Sequence, residues 1–206
     1  MIVDLDVGVL DGLVQSRRSI RAFRPESVPR DEVAELLRLA MWAPSPHNAQ
    51  PWRFTVLFLQ EDRTRLAEVM ANRLASELRE NRVDAEAIER QTSRSRWRIT
   101  NAPVVLVCSL VGDGLVTYPD QRRARLEWQM AVQSLGAVLQ TLFLLAAARG
   151  IGTCWMAAPM YCVNEVRQML DLPDDHDPQA LVLMGYPAKE GKVRDRRPLQ
   201  EVVDLR

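Results

Sequence analysis

The spacing of hydrophobic residues predicts helices along much of this chain. Leucine and valine recur at helical intervals over residues 5–15, which predicts a short first helix. A second helix begins near Pro29 and stops before Pro44 and Pro46, because a proline pushes the preceding residue out of the helical conformation. The apolar face of this second helix is predicted to consist of Val33, Leu36, Leu37, Ala40 and Met41.

The longest predicted helix covers residues 122–149, which contain no proline. At 1.5 Å per residue it would extend roughly 40 Å. Its second half is apolar on almost every side, so it requires burial from several directions. That burial is expected either within one subunit or against a second subunit.

Short apolar runs between the helices predict strands, of which VVLVCSL at residues 104–110 is expected to be fully buried. Strands separated by helices indicate an α+β or α/β domain, and no linker or repeat divides residues 1–206, so we expect a single domain. The other predicted strands cover residues 53–59, 151–157 and 180–184, and further helices cover residues 64–82, 84–97 and 163–170.

Composition narrows the function by excluding several classes. With 27 basic and 27 acidic residues the net charge is zero, so no overall field attracts nucleic acid or an anionic membrane. The apolar run at residues 135–148 is interrupted and is expected to be too short to span a bilayer, and no secretory signal is recognised, so a cytoplasmic location is expected. The three cysteines form no CxxC pair, and no metal site is predicted.

Two basic segments at opposite ends of the chain are the main candidates for anion binding. Arg17, Arg18, Ser19 and Arg21 supply guanidinium groups and a hydroxyl, which suit phosphate oxygens. Taken alone, such a cluster is more often a solvated loop. Near the C-terminus the basic residues are Lys189, Lys192, Arg194, Arg196 and Arg197, and a weaker third group is Arg94, Arg96 and Arg98.

The turn at residues 44–50 is rich in amide groups. Asn48 and Gln50 each donate and accept hydrogen bonds, which suits the mixed edge of a flavin ring, although such residues commonly satisfy loop backbone instead. His47 lies in the same turn and either contacts a ligand or faces solvent. No GxGxxG, GxSxG or GxxxxGK[ST] motif occurs, which disfavours a Rossmann site, an esterase and a P-loop.

The segments RRSIRAF, PSPHNAQPWRF, GIGTCWMAAP, LMGYPA and RDRRPLQEVV, in this order, resemble the flavin-dependent nitroreductase family over nearly the whole chain. The resemblance implies an α+β fold with a central, mostly antiparallel sheet flanked by helices. It also implies a long central helix at the interface of a homodimer with shared active sites, and non-covalent FMN reduced by NADH or NADPH. No side-chain acid or base is assigned, because hydride transfer depends mainly on closeness and orientation. Arg21 is the candidate for stabilising charge on the reduced ring.

The resemblance also implies which residues bind FMN. The early basic segment is expected at the phosphate and ring edge, the amide-rich turn near the ring, and backbone donors after the third strand at the flavin. The expected set is Arg17, Arg18, Ser19, Arg21, Pro44, Ser45, Pro46, Asn48, Gln50, Met156, Ala157, Ala158, Arg194 and Arg196, with Arg197 as a further possibility.

The expected function is hydride transfer from NADH or NADPH through FMN to a small organic acceptor, with the two substrates alternating in one pocket. Within this family, the long helix and LMGYPA most resemble the branch related to the C-terminal domain of deazaflavin-coenzyme glutamate ligases. The first alternative is therefore reduction of a deazaflavin-coenzyme intermediate. A flavin-binding or flavin-storing dimer without turnover, and a helical adaptor without cofactor, are the alternatives from other classes.

Overall fold

A computed structural model describes residues 7–206 of the chain. Leu5, where the first helix was predicted to begin, lies outside this range. Six α-helices and four strands follow one another along the described chain. In order they are α1 (Val7–Ser16), α2 (Arg30–Ala40), β1 (Trp52–Leu57), α3 (Gln60–Glu80), α4 (Ala85–Thr100), β2 (Val104–Leu110), α5 (Gln121–Ala148), β3 (Gly152–Met156), α6 (Val163–Leu170) and β4 (Asp177–Gly185), with single 3₁₀ turns at Pro46–Asn48, Ala158–Tyr161 and Leu199–Glu201.

The four strands form one antiparallel sheet in the order β1-β2-β4-β3. Every residue of β2 is buried, as its continuous apolar sequence predicted. Helices cover both faces, because both faces of the two central strands are apolar. The predicted α+β architecture with a central antiparallel sheet and flanking helices is confirmed.

Alternate side chains of β2 enter two separate hydrophobic clusters. Val104, Leu106 and Cys108 pack with α2 and α5 on one face, whereas Val105 and Val107 pack with α3 and α6 on the other. One predicted member of the apolar face of α2 behaves differently. Met41 follows the last residue of α2 and its side chain is exposed, because the helix ends before the next apolar position is turned inward.

Helix α5 lies along the first cluster and contributes Leu135, Val138, Leu139 and Leu142 to it. By length and composition alone α5 could cross a membrane, which corrects the expectation drawn from the shorter run at residues 135–148. It instead packs against the sheet and α2, and 44% of its most apolar stretch is buried. These packing contacts are typical of a core helix.

The segment after α1 runs beside the edge strand β3 and then beside the chain that follows β4. Ser19 forms a parallel bridge with Thr153, and the amide of Ile20 donates to the Thr153 carbonyl at 2.9 Å. Further on, the amide of Ala188 donates to the Ala22 carbonyl at 3.0 Å. These backbone contacts place the start of the C-terminal tail next to the arginines that follow α1.

Candidate functional site

A cavity of about 720 Å³ opens between the segment after α1, helix α4 and the C-terminal tail. This volume lies within the range of small-molecule and cofactor sites. Its lining consists of Arg17, Arg18, Ser19, Ile20, Arg21, Ala22, Arg94, Trp97, Arg98, Lys189, Glu190, Gly191, Lys192, Arg194 and Arg196.

A glycine allows the tail to approach the first basic segment closely. A Cβ atom added to Gly191 would overlap the Cβ of Arg18 and would lie 2.9 Å from its Cγ and 3.1 Å from Cδ1 of Ile20. Only glycine fits this position without displacing one of the two segments. The close approach therefore fixes the distance between the two basic groups.

The cavity is strongly positive although the chain has no net charge. Nine of the lining residues are arginine or lysine, and the lining contains a single carboxylate, that of Glu190. None of these nine cations forms an ion pair with a residue in the described range 7–206, whereas arginines elsewhere on the surface commonly do.

Several of these guanidinium groups are held by backbone carbonyls instead. Arg18 donates to the carbonyls of Gln15 and Arg17, and Arg196 donates to that of Arg194 at 3.0 Å. Burial, reinforced by the nearby charges of Arg94 and Arg21, lowers the pKa of Arg98. The cavity thus gathers positive charge without internal neutralisation, which favours an anionic ligand.

The structure brings together the two basic segments that the sequence placed at opposite ends. Arg17, Arg18, Ser19 and Arg21 share the cavity with Arg194 and Arg196. Arg197, the further possibility, is exposed and is not part of the lining.

The amide-rich turn does not line this cavity within one chain. Pro44, Ser45, Pro46, Asn48 and Gln50 lie at the far end of α2 from the basic segment, and the turn contacts α5. The backbone N–H of Gln50 donates to Ser45 Oγ at 3.0 Å, which links the two ends of the turn. His47, Asn48 and Gln50 have φ values of 53°, 55° and 46°, and all three side chains are exposed.

The segment after β3 also lies outside the lining. Met156 ends β3 and packs against the second hydrophobic cluster, together with Ala158. Ala157 is exposed and precedes the 3₁₀ turn at Ala158–Tyr161. These residues follow the strand that pairs with Ser19, so they continue along the edge on which the basic segment lies.

Sequence reasoning missed Trp97 as a lining residue and grouped the arginines of α4 by alternation. The helix continues to Thr100, so helical spacing brings Arg94, Trp97 and Arg98 onto one face. Arg96 instead forms an ion pair with Glu68 at 3.0 Å. A predicted helix that continued to residue 100 would have identified Arg94, Trp97 and Arg98 as neighbours on one face.

A second cavity, of about 510 Å³, lies between α3 and α6. Its charged lining residues are Arg65, Glu68 and Glu165, so it lacks the excess of one sign seen in the first cavity. Within residues 7–206, no group of three or more histidine, cysteine or acidic residues could hold a metal ion. The first cavity is therefore the stronger candidate.

Comparisons with known proteins agree with this architecture. The sequence profile of the nitroreductase family matches residues 14–186. An NADH dehydrogenase of Thermus thermophilus is 33% identical over 91% of this chain and 91% of its own length. A 5,6-dimethylbenzimidazole synthase of Rhodospirillum rubrum is 30% identical over 88% of this chain and 83% of its own length.

A solved structure shares the whole fold at lower identity. The FMN-dependent nitroreductase of Mycobacterium smegmatis, determined in complex with NADPH, superposes with a TM-score of 0.75. It is 22% identical, and the match covers 98% of this chain and 100% of the other.

Proposed function

This chain belongs to the nitroreductase family, and we propose that it is an FMN-dependent oxidoreductase that takes hydride from NADH or NADPH. The observation that carries the proposal is the convergence on one cavity of nine cations that form no ion pair with residues 7–206, in a chain of zero net charge. A flavin phosphate is an anion that such a cavity fits. The names of the relatives, which include an NADH dehydrogenase and an FMN-dependent nitroreductase, support the same reading.

The residues present would bind the phosphate from two sides. Arg17, Arg18 and Ser19 would contact it from the segment after α1, and Arg194 and Arg196 from the tail. The close contact between Gly191 and Arg18 supports this arrangement, because it holds both groups at one place before any ligand arrives. When bound, FMN supplies the two-electron chemistry.

Arg21 would stabilise negative charge on the reduced ring. Its Nη1 lies 3.4 Å from the Ser19 carbonyl, and the side chain is otherwise exposed to the cavity. A fixed guanidinium close to developing charge acts without reorganisation, which is the usual source of electrostatic stabilisation in enzymes. Orientation and closeness then suffice for hydride transfer to a small organic acceptor in the same pocket.

We further propose a homodimer with shared active sites. Exposed apolar residues are concentrated on α1, where Val7, Val9, Leu10 and Val14 face solvent, and α1 contacts α5. Trp42, 83% exposed, lies beside the amide-rich turn. An apolar surface of this kind is typical of a subunit interface, and the partner's turn would complete the cavity that its own chain does not reach.

The 30% identity to a 5,6-dimethylbenzimidazole synthase favours a biosynthetic reaction as the second candidate function. Formation of that product by the FMN-loaded protein would distinguish it from transfer to an added acceptor. Reduction of a deazaflavin-coenzyme intermediate and flavin storage without turnover stay predictions.

The first experiment titrates the apoprotein with FMN and then adds NADH or NADPH without oxygen. We expect bound FMN and loss of its visible absorbance with at least one donor. Arg17→Ala and Arg196→Ala should each weaken FMN binding roughly tenfold or more, since a charge-assisted hydrogen bond contributes about 1.5–3 kcal/mol. Arg90→Ala, at a residue paired with Glu86 outside the cavity, is the matched control. A protein that binds no FMN, or FMN that neither donor reduces, would contradict the proposal.

Shared sites have a separate test. Arg17→Ala and Asn48→Ala chains are mixed after denaturation and refolded together. If each cavity combines Arg17 of one chain with the turn of the other, each mixed dimer contains one intact site, roughly a quarter of all sites in an equal mixture. High-affinity FMN binding should therefore return. Its absence, with mixed dimers present by mass spectrometry, would show that both residues act within one chain.

A further inference from the structure

The cavity holds more positive charge than a flavin phosphate neutralises. A phosphate monoester carries about −1.5 to −2 charges at neutral pH. Nine cations and the single carboxylate of Glu190 therefore leave a large positive excess when FMN is bound. The excess indicates a second anionic group in the same cavity.

Helix α4 shows where this second group would lie. Four arginines lie on its last three turns, and the two that point away from the cavity are paired: Arg90 with Glu86 and Arg96 with Glu68. Arg94 and Arg98 line the cavity, and neither has a carboxylate partner in the described part of the chain. Like charges four residues apart destabilise a helix, so an anion bound between them would remove a repulsion that the free protein retains.

An aromatic side chain shares the cavity-facing side of α4 with these two arginines. Trp97 lines the cavity and is 54% exposed, although large aromatic residues are mostly buried. An exposed indole at the rim of a charged cavity offers a flat surface on which a planar ring can stack. Arg94, Trp97 and Arg98 thus combine an aromatic surface with two anion donors.

We propose that Arg94, Trp97 and Arg98 form a second subsite. This subsite selects reaction partners of the bound FMN that carry a negative group next to an aromatic ring. The inference rests on the proposed function. Two sources share this chemistry. The hydride donor with this chemistry is NADPH, whose 2′-phosphate adjoins an adenosine. The hydride acceptor with this chemistry is an aromatic acid. An uncharged substrate would gain nothing from the two guanidinium groups.

The test compares Arg94→Gln/Arg98→Gln with the wild type and with the control Arg90→Gln, all loaded with FMN. Calorimetry measures binding of adenosine 2′,5′-bisphosphate and of adenosine 5′-phosphate, so one readout does not depend on turnover. Steady-state assays give KM for NADPH and NADH, and for 4-nitrobenzoate and the uncharged 4-nitrobenzyl alcohol. Trp97→Leu tests the stacking surface separately.

If the donor occupies the subsite, the affinity of the double variant for the bisphosphate falls at least tenfold and its KM for NADPH rises at least tenfold, while KM for NADH changes less than threefold. If the acceptor occupies it, KM rises at least tenfold for nitrobenzoate only. Equal effects on charged and uncharged partners, or a matching loss of FMN affinity, would overturn the proposal. Failure of both donors to reduce FMN, with bisphosphate binding intact, would refute the proposed function and leave the subsite standing.

Discussion

Gly191→Ala changes the geometry of the cavity without removing a charge. The added methyl group would overlap the Cβ of Arg18 and approach its Cγ to 2.9 Å. Rotation of the Arg18 side chain does not move its own Cβ, so the backbone of one segment has to shift. The substitution therefore tests whether the precise approach of the tail matters for binding.

The structure gives the size of the expected effect. Carbon atoms pack best at about 3.5–4.0 Å, so the contact with Cγ alone requires a shift of about 0.6 Å or more. Such a shift at Gly191 moves Arg194 and Arg196 relative to Arg17. The loss of one charge-assisted hydrogen bond, about 1.5–3 kcal/mol, would weaken FMN binding roughly tenfold to a hundredfold.

The assay is a fluorescence titration of FMN with the apoprotein, accompanied by thermal unfolding of the same samples. Gly112→Ala is the matched control, because a Cβ at Gly112 meets nothing within 4 Å and the backbone there is not left-handed. We expect weaker FMN binding by Gly191→Ala, unchanged binding by Gly112→Ala and similar thermal unfolding of both apoproteins. An unchanged FMN Kd for Gly191→Ala would refute the two-sided phosphate site.

Four further predictions concern the hydrophobic core, the buried thiols and the dependence of FMN binding on salt. Leu139→Ala, at a fully buried position, should lower the free energy of unfolding in urea by about 2–5 kcal/mol, whereas Leu59→Ala at an exposed position should change it little. Burial raises the pKa of all three thiols, that of Cys162 to about 12, so native protein should resist iodoacetamide at pH 8 and unfolded protein should react three times. The Cys162 thiol ionises at lower pH in the unfolded chain than in the native protein. Its contribution to stability is therefore complete below its usual pKa of 9.0 and is lost as the pH rises towards 12. Between these two pH values the Tm of the wild type should fall more steeply than the Tm of Cys162→Ala. Finally, FMN affinity should fall as NaCl rises from about 50 to 500 mM, and a salt-independent Kd would contradict a site dominated by charge.

Local sequence patterns predicted the sheet and the helices well. The run at residues 104–110 became β2 with the predicted bounds, because seven residues with no exposed face permit only a buried central strand. Helix α6 also has the predicted bounds, residues 163–170. The end of α4 was placed too early, at residue 97 rather than Thr100.

The site was predicted less completely, because backbone pairing between distant segments creates it. Backbone pairing of Ser19 with Thr153 and of Ala22 with Ala188 helps to bring the basic segment after α1 next to the start of the tail. No periodicity predicts such contacts, and the expectation that both segments reach one phosphate rested on their shared positive charge in a chain of zero net charge and on the family resemblance. The sequence does not predict the role of Gly191 either, because that role depends on the Arg18 side chain that packs against it.

The backbone of the amide-rich turn favours the proposed homodimer. Helix α2 has 11 residues, so its two ends lie about 16 Å apart, and the turn follows one end whereas the basic segment precedes the other. His47, Asn48 and Gln50 all adopt positive φ, a conformation that costs energy for residues other than glycine and persists mainly where function requires it. Yet these residues are exposed and line neither of the two cavities described above within residues 7–206. In the proposed homodimer, a second copy related by a twofold axis would give every turn a cavity and would explain why these three residues keep their strained backbone.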